Sequence, residues 1–100
     1  MTIDIKQTTE GVLAVMTGSL DTLASEQSEQ KVMELEALAD KPITIDCNNL
    51  DYIASSGLRL FLRIRKAAFA NGKKIKLIGV NENIMEVLRV THFDVMFDIQ

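Results

Sequence analysis

Apolar and polar residues alternate at the start of the chain. In "TIDIKQ", Ile3 and Ile5 point one way and Thr2, Asp4 and Lys6 the other, which is the period of a half-buried strand. Glu10 and Gly11 make a turn, and "VLAVMTG" reads as a second strand, paired with the first as a hairpin and ended by Gly18. The period then changes. Over "SLDTLASEQSEQKVMELEALAD", Ala24, Ser28, Val32, Leu35 and Ala39 fall on one stripe, and Glu26, Glu29, Lys31, Glu34 and Glu36 lie mostly off it. That spacing predicts an amphipathic helix, capped by Asp21 or Thr22 and stopped by Lys41 and Pro42. In "ITIDC" the alternation returns: Ile43, Ile45 and Cys47 share one face of a third strand, Thr44 and Asp46 the other.

A second helix is predicted from about Ser56 to Ala70. Its expected core face is Leu58, Phe61, Leu62, Ala68 and Phe69, and Arg59, Arg63 and Lys66 share a polar stripe. Leu60 and Ile64 widen the apolar arc beyond the need of a surface helix and are expected to form an exposed shoulder. Arg65 interrupts that arc and has to reach outward along its stem. Asn71 and Gly72 tolerate the left-handed geometry of a helix end. "KKIKLIGV" reads as a fourth strand. "NENIMEVLRVTH" reads as a short helix capped by Asn81 or Asn83, with Ile84, Val87, Leu88 and Thr91 inward and His92 suited to a positive φ at its end. "VMFDI" closes the chain as a strand. The order β-β-α-β-α-β-α-β predicts an α/β fold, a single-layer mixed sheet with right-handed crossovers, covered mainly on one face by the amphipathic helices.

Length and composition narrow this picture. One hundred residues, 47% of them hydrophobic, suit one domain over residues 1–100 with one modest core. No apolar run is long enough to span a bilayer, and "MTIDIKQ" lacks the regions of a signal peptide, so a cytoplasmic protein without membrane insertion is expected. Cys47 is the single cysteine. It can form no intramolecular disulfide and no metal cluster, and it reads as a small core residue. The net charge of −3 argues against general nucleic-acid binding. The charge is unevenly placed: residues 1–58 carry ten acids against three bases, residues 59–76 seven bases and no acid, and residues 77–100 four acids against one base. The basic block reads either as a solvated helix face and edge strand or as a steering patch for an acidic partner.

Candidate chemistry centres on "NNLDYIASSGLRLF", where Ser55, Ser56 and Gly57 interrupt an apolar run. A hydrolase reading lacks a G-x-S-x-G elbow, and no spacing joins Ser55 to the only histidine, His92, as a triad. There is no phosphate-binding lysine loop, dinucleotide fingerprint or metal-ligand cluster, and Asp46 and Asp51 are expected in loops without a pocket. No enzyme activity, cofactor or metal is expected. The serines sit instead where a loop enters a helix. Backbone N–H groups there are unpaired and partly positive, so a serine can cap the helix or carry a phosphoryl group, and adjacent serines can do both. A cation at Arg59, one turn in, opposes the helix dipole and is rationalised by a nearby anion.

Three segments then resemble the STAS domains, specifically the stand-alone bacterial anti-sigma factor antagonists: "TGSLDTLAS", "ITIDCNNLDYIASSGLRLFLRIRKAAFANGKKIKLIGV" and "IMEVLRVTHFDVMFDI". The chain's length suits such a module with nothing appended. The resemblance implies a non-catalytic regulator that binds an anti-sigma factor with serine kinase activity and frees a sigma factor. It implies Ser55 as the phosphorylated residue, a phosphatase that reverses the modification, and Asp21 near the same surface. Candidate partner contacts are Asp21, Ser55, Ser56, Gly57, Leu58, Arg59, Leu60, Arg63 and Ile64, and the free chain is expected to be a monomer. Ala54 stands where the family usually has Asp, Arg59 where a small residue is common, and His92 in place of a frequent glycine. An alternative within the same fold is a constitutive accessory subunit of a transporter or other membrane-associated ATPase, without a phosphate switch.

Overall fold

The strands pair in the order in which the chain makes them. In a computed structural model covering residues 1–100, β1 (Thr2–Thr8) and β2 (Gly11–Leu20) form the expected antiparallel hairpin. β3 (Ile43–Ile53), β4 (Ile75–Ile78) and β5 (Asp98–Ile99) then add in parallel, giving one five-stranded sheet. Parallel neighbours need crossover connections, and helices supply them: α1 (Thr22–Gln27) and α2 (Glu29–Ala37) between β2 and β3, α3 (Ser55–Ala70) before β4, and α4 (Glu82–Val90) before β5.

Burial follows the alternation read from the sequence. Ala14, Ile45 and Leu77 lie in one cross-strand row and are fully buried. The next row, Val15, Asp46 and Ile78, points to the other face and is only half-buried. The helices thus cover one face of the sheet, and a single cluster of 24 buried hydrophobic residues lies between. Cys47 belongs to that cluster. Burial, with the Asp46 carboxylate adding to it, pushes its thiol up to about 12, so the sulfur is inert core.

Several boundaries differ from expectation. Gly18 does not end β2. Its φ of 105° makes one of two register shifts against β3, and pairing resumes to Leu20↔Ile53. That pairing also draws Asn48–Ile53 into β3, so Asp51, like Asp46 before it, is a strand residue and not a loop residue. The long helix is two helices. The Ser28 hydroxyl donates to the Ala24 carbonyl at 2.7 Å, and a serine bonding back onto the previous turn bends a helix, here into a turn at Ser28. The predicted stripe nevertheless holds, since Ala24, Ser28, Val32, Leu35 and Ala39 are all buried. Asn81 caps α4, its Oδ1 accepting from the Ile84 N–H at 2.9 Å, while its Nδ2 donates to the Leu50 carbonyl and ties α4 to β3. His92 takes the left-handed conformation at φ 63°, as read. Thr91 is exposed and not inward: its hydroxyl donates to the Val87 carbonyl at 2.8 Å. The closing strand is short because Phe93–Val95 form a 3₁₀ turn.

Candidate functional site

Two helix starts lie side by side where β2 and β3 end. The Leu20 carbonyl accepts from the Ala54 N–H at 2.9 Å, joining the chain just before α1 to the chain just before α3. Asp21 caps α1 through Oδ1, which accepts from the Ala24 N–H at 2.8 Å. Its carbonyl accepts from the Ser25 hydroxyl at 2.7 Å, and Ser25 Oγ accepts from the Ser56 hydroxyl at 3.2 Å. One polar chain therefore runs from the cap of α1 to the first turn of α3.

The start of α3 is bare. Its N-cap is Ala54, in extended conformation, with no side-chain oxygen to accept from the first turn. Neither serine caps the helix, contrary to one of the two roles read for them. Ser55 and Ser56 are its first two residues, and they differ. Ser55 is exposed, whereas Ser56 is half-buried and turned towards Ser25. A helix start without a capping side chain retains its orphan N–H donors and partial positive charge, both suited to an anion at Ser55. Arg59, one turn on, is exposed and joins none of the ion pairs of the molecule.

Gly57 allows this helix to sit so close to the sheet. A Cβ there would lie 2.8 Å from Leu20 Cγ and 2.9 Å from Ile53 Cγ1, well inside van der Waals contact. Close seating also fixes which side of α3 faces inward. Gly57, Leu58, Leu60, Phe61, Ile64 and Ala68 are buried. The exposed shoulder expected of Leu60 and Ile64 is thus core, at 6% and 0% exposure, and Leu58 at 5% is no surface contact either. Conversely Leu62 is half-buried and Phe69 is 69% exposed.

Arg63 also departs from its expected role as a free partner charge. Its guanidinium pairs with Glu29 at 2.7 Å and Glu36 at 2.8 Å, both on α2. Hydrogen bonds to Glu36 and Glu29 hold it protonated well above the usual arginine range. It ties α2 to α3, leaving Arg59 as the unpaired cation of a shallow groove of about 310 Å³ that also includes Ser25, Glu29, Ser56 and Leu60. Two further residues at this end were missed in the sequence: Leu23, 62% exposed in the first turn of α1, and Tyr52, 53% exposed near the end of β3. An apolar residue two positions after the Asp21 cap signals the first. Tyr52 becomes legible only once β3 is known to extend to Ile53.

No base hydrogen-bonds the Ser55 hydroxyl, no group of three His, Cys, Asp or Glu side chains is placed to hold a metal ion, and no helix is long and apolar enough to cross a membrane. What this end offers is an accessible hydroxyl on a cationic helix start, within an open surface of mixed polarity.

Known proteins share this fold. The chain is 26% identical over 93 residues to the anti-sigma-B factor antagonist of Staphylococcus aureus, an alignment spanning 91% of this chain and 86% of that one. A solved anti-sigma-factor antagonist (STAS) domain protein from Planctomyces limnophilus superposes with a TM-score of 0.81 at 20% identity, over 98% of this chain and 87% of the other. The Bacillus cell fate determinant SpoIIAA, solved in its phosphorylated form, superposes with a TM-score of 0.73 at 20% identity, over 99% and 91%. The STAS domain family profile matches residues 2–100, and the chain belongs to that family.

Proposed function

We propose that this protein is an anti-sigma factor antagonist: a non-catalytic cytoplasmic regulator that binds an anti-sigma factor with serine kinase activity and is released by phosphorylation of Ser55. The observation that carries this reading is the contrast between the two serines. Ser55 is exposed at an uncapped helix start with Arg59 one turn away, while Ser56 is engaged with Ser25. The contact surface is Asp21, Ser55 and Arg59, with Leu23 and Tyr52 as apolar contacts and Ser56 and Gly57 shaping the backbone beneath. A phosphate adds about −1.5 to −2 charges at neutral pH. The helix start and Arg59 accommodate that charge within the domain. In a complex the same charge has to be desolvated or has to face partner carboxylates, so the penalty falls on binding. Incubation with the cognate kinase and ATP, followed by peptide mass spectrometry, tests the assignment: phosphate on Ser55 supports it, and phosphate on Ser56 or none at all refutes it.

One observation favours a second reading. Ala54 puts a methyl group where the family usually has a carboxylate, directly before Ser55. A constitutive accessory subunit of a transporter or other membrane-associated ATPase has no need of that carboxylate. If the missing group matters to phosphorylation, Ala54→Asp raises the rate of phosphate transfer to Ser55.

A further inference from the structure

Arg65 is the arginine of α3 that is held in place without a carboxylate. Its Nε donates to the Met96 carbonyl at 2.9 Å, and its guanidinium carbon lies 5.4 Å from the centre of the Phe69 ring. It joins no ion pair. Backbone and ring together hold the guanidinium, and Nη1 and Nη2 are left without a protein acceptor. Those two nitrogens form an end-on fork that matches a carboxylate. Arg65 lines a groove of about 410 Å³ whose other charged residues are Lys73 and Lys74, with no acid in its lining. Phe69 and Val95 flank it, 69% and 79% exposed. An arginine with its plane fixed beside an exposed aromatic ring is the composition of an interface centre and not of an ordinary solvated surface.

We propose that this groove is a second docking site, for an acidic protein segment that presents one apolar side chain between carboxylates. The charge decides the first half of that description: three cations without an acid complement negative groups. The exposed Phe69 and Val95 decide the second, since a purely acidic ligand leaves them in water. The rest of the surface disfavours other polyanions. A bilayer of anionic lipid would also meet the acidic remainder of a chain whose net charge is −3, and a nucleic acid asks for a longer cationic track than three side chains. Fourteen residues of helix separate Phe69 from Ser55, about 21 Å along the axis. A segment held here therefore leaves the serine end free, and the proposal does not depend on the switch at Ser55.

Amide chemical shifts of the ¹⁵N-labelled protein, recorded during titration with the capped peptide Glu-Glu-Leu-Glu-Glu, test it. The control peptides are Gly-Gly-Leu-Gly-Gly and Glu-Glu-Gly-Glu-Glu. The acidic leucine peptide is expected to shift Phe69, Lys73 and Val95 and to leave Asp21 and Ser55 unmoved. Raising salt to about 0.5 M weakens it. Phe69→Ala, or Lys73→Glu with Lys74→Glu, weakens it by at least about fivefold while the rest of the spectrum keeps its dispersion. Equal shifts with all three peptides, shifts centred on Ser55, absence of shifts at millimolar peptide, or binding to phosphatidylglycerol vesicles in place of the peptide each overturn the proposal.

Discussion

The Ser56 hydroxyl donates to Ser25 Oγ at 3.2 Å, across the junction of α3 and α1. Ser25 is buried and passes the interaction on to the Asp21 carbonyl. The pair separates the roles of two adjacent serines, because Ser56 is spent on holding two helix starts together and Ser55 is free. Ser25→Ala removes both hydrogen bonds and leaves the Ser56 hydroxyl without its partner. A loss of about 1–2 kcal/mol in urea denaturation is expected, with Ser55 remaining the accessible hydroxyl. An unchanged midpoint would show that the Ser25–Ser56 contact contributes nothing.

The inward face of α3 predicts a contrast between neighbours. Ile64 is fully buried in the core cluster, whereas Leu62 is half-buried and lies outside it. Ile64→Ala should cost about 2–5 kcal/mol, and Leu62→Ala less than about 1 kcal/mol. Equilibrium unfolding of the two variants checks the orientation of the helix, and the reverse ranking would rotate it.

Cys47 predicts an alkaline instability. Its thiol is raised from 9.0 to about 12 in the fold, so the folded chain keeps a proton that the unfolded chain releases. The contribution is complete below about pH 9 and is lost as pH rises towards 12, at a slope of up to about 1.4 kcal/mol per pH unit. Cys47→Ala lowers stability at pH 7 by removing core volume but flattens that slope. Parallel pH profiles of the two proteins above pH 9 would contradict the assignment.

Arg59 and Arg63 are both cations of the basic block, yet only Arg59 is unpaired. Arg59→Ala should slow association with the partner and reduce its salt dependence. Arg63→Ala should act mainly on the docking of α2 against α3, costing about 1 kcal/mol because its two glutamate pairs are partly exposed to solvent. Stopped-flow association rates at two salt concentrations separate the two residues.

Much of the fold was legible wherever one periodicity dominated. Ile3 and Ile5, the stripe from Ala24 to Ala39, and Ile43, Ile45 and Cys47 each have a polar face opposite, so their direction is fixed locally. α3 was not legible to the same degree. Leu58, Leu60, Phe61, Leu62, Ile64 and Phe69 spread around most of its circumference, and any of several rotations buries an apolar face. The rotation adopted is set by Gly57 against Leu20 and Ile53, a contact between distant segments. The same holds at the site. The serines and Asp21 stand out in the sequence, but Ser56 is distinguished from Ser55 only by Ser25, thirty-one residues away. Arg63 is likewise neutralised by glutamates of another helix. Gly18 misled for a related reason: a glycine that ends a strand and one that bulges it differ only in whether a neighbouring strand continues the pairing.

A phosphate on Ser55 is expected to block the partner while leaving the domain folded. Calorimetric titration of the anti-sigma factor with the unmodified and the Ser55-phosphorylated protein measures this directly, with the melting temperature of each recorded alongside. The phosphorylated protein is expected to melt close to the unmodified one and to bind at least about a hundredfold more weakly. Equal affinities, or a weaker affinity accompanied by loss of the folded state, would contradict it.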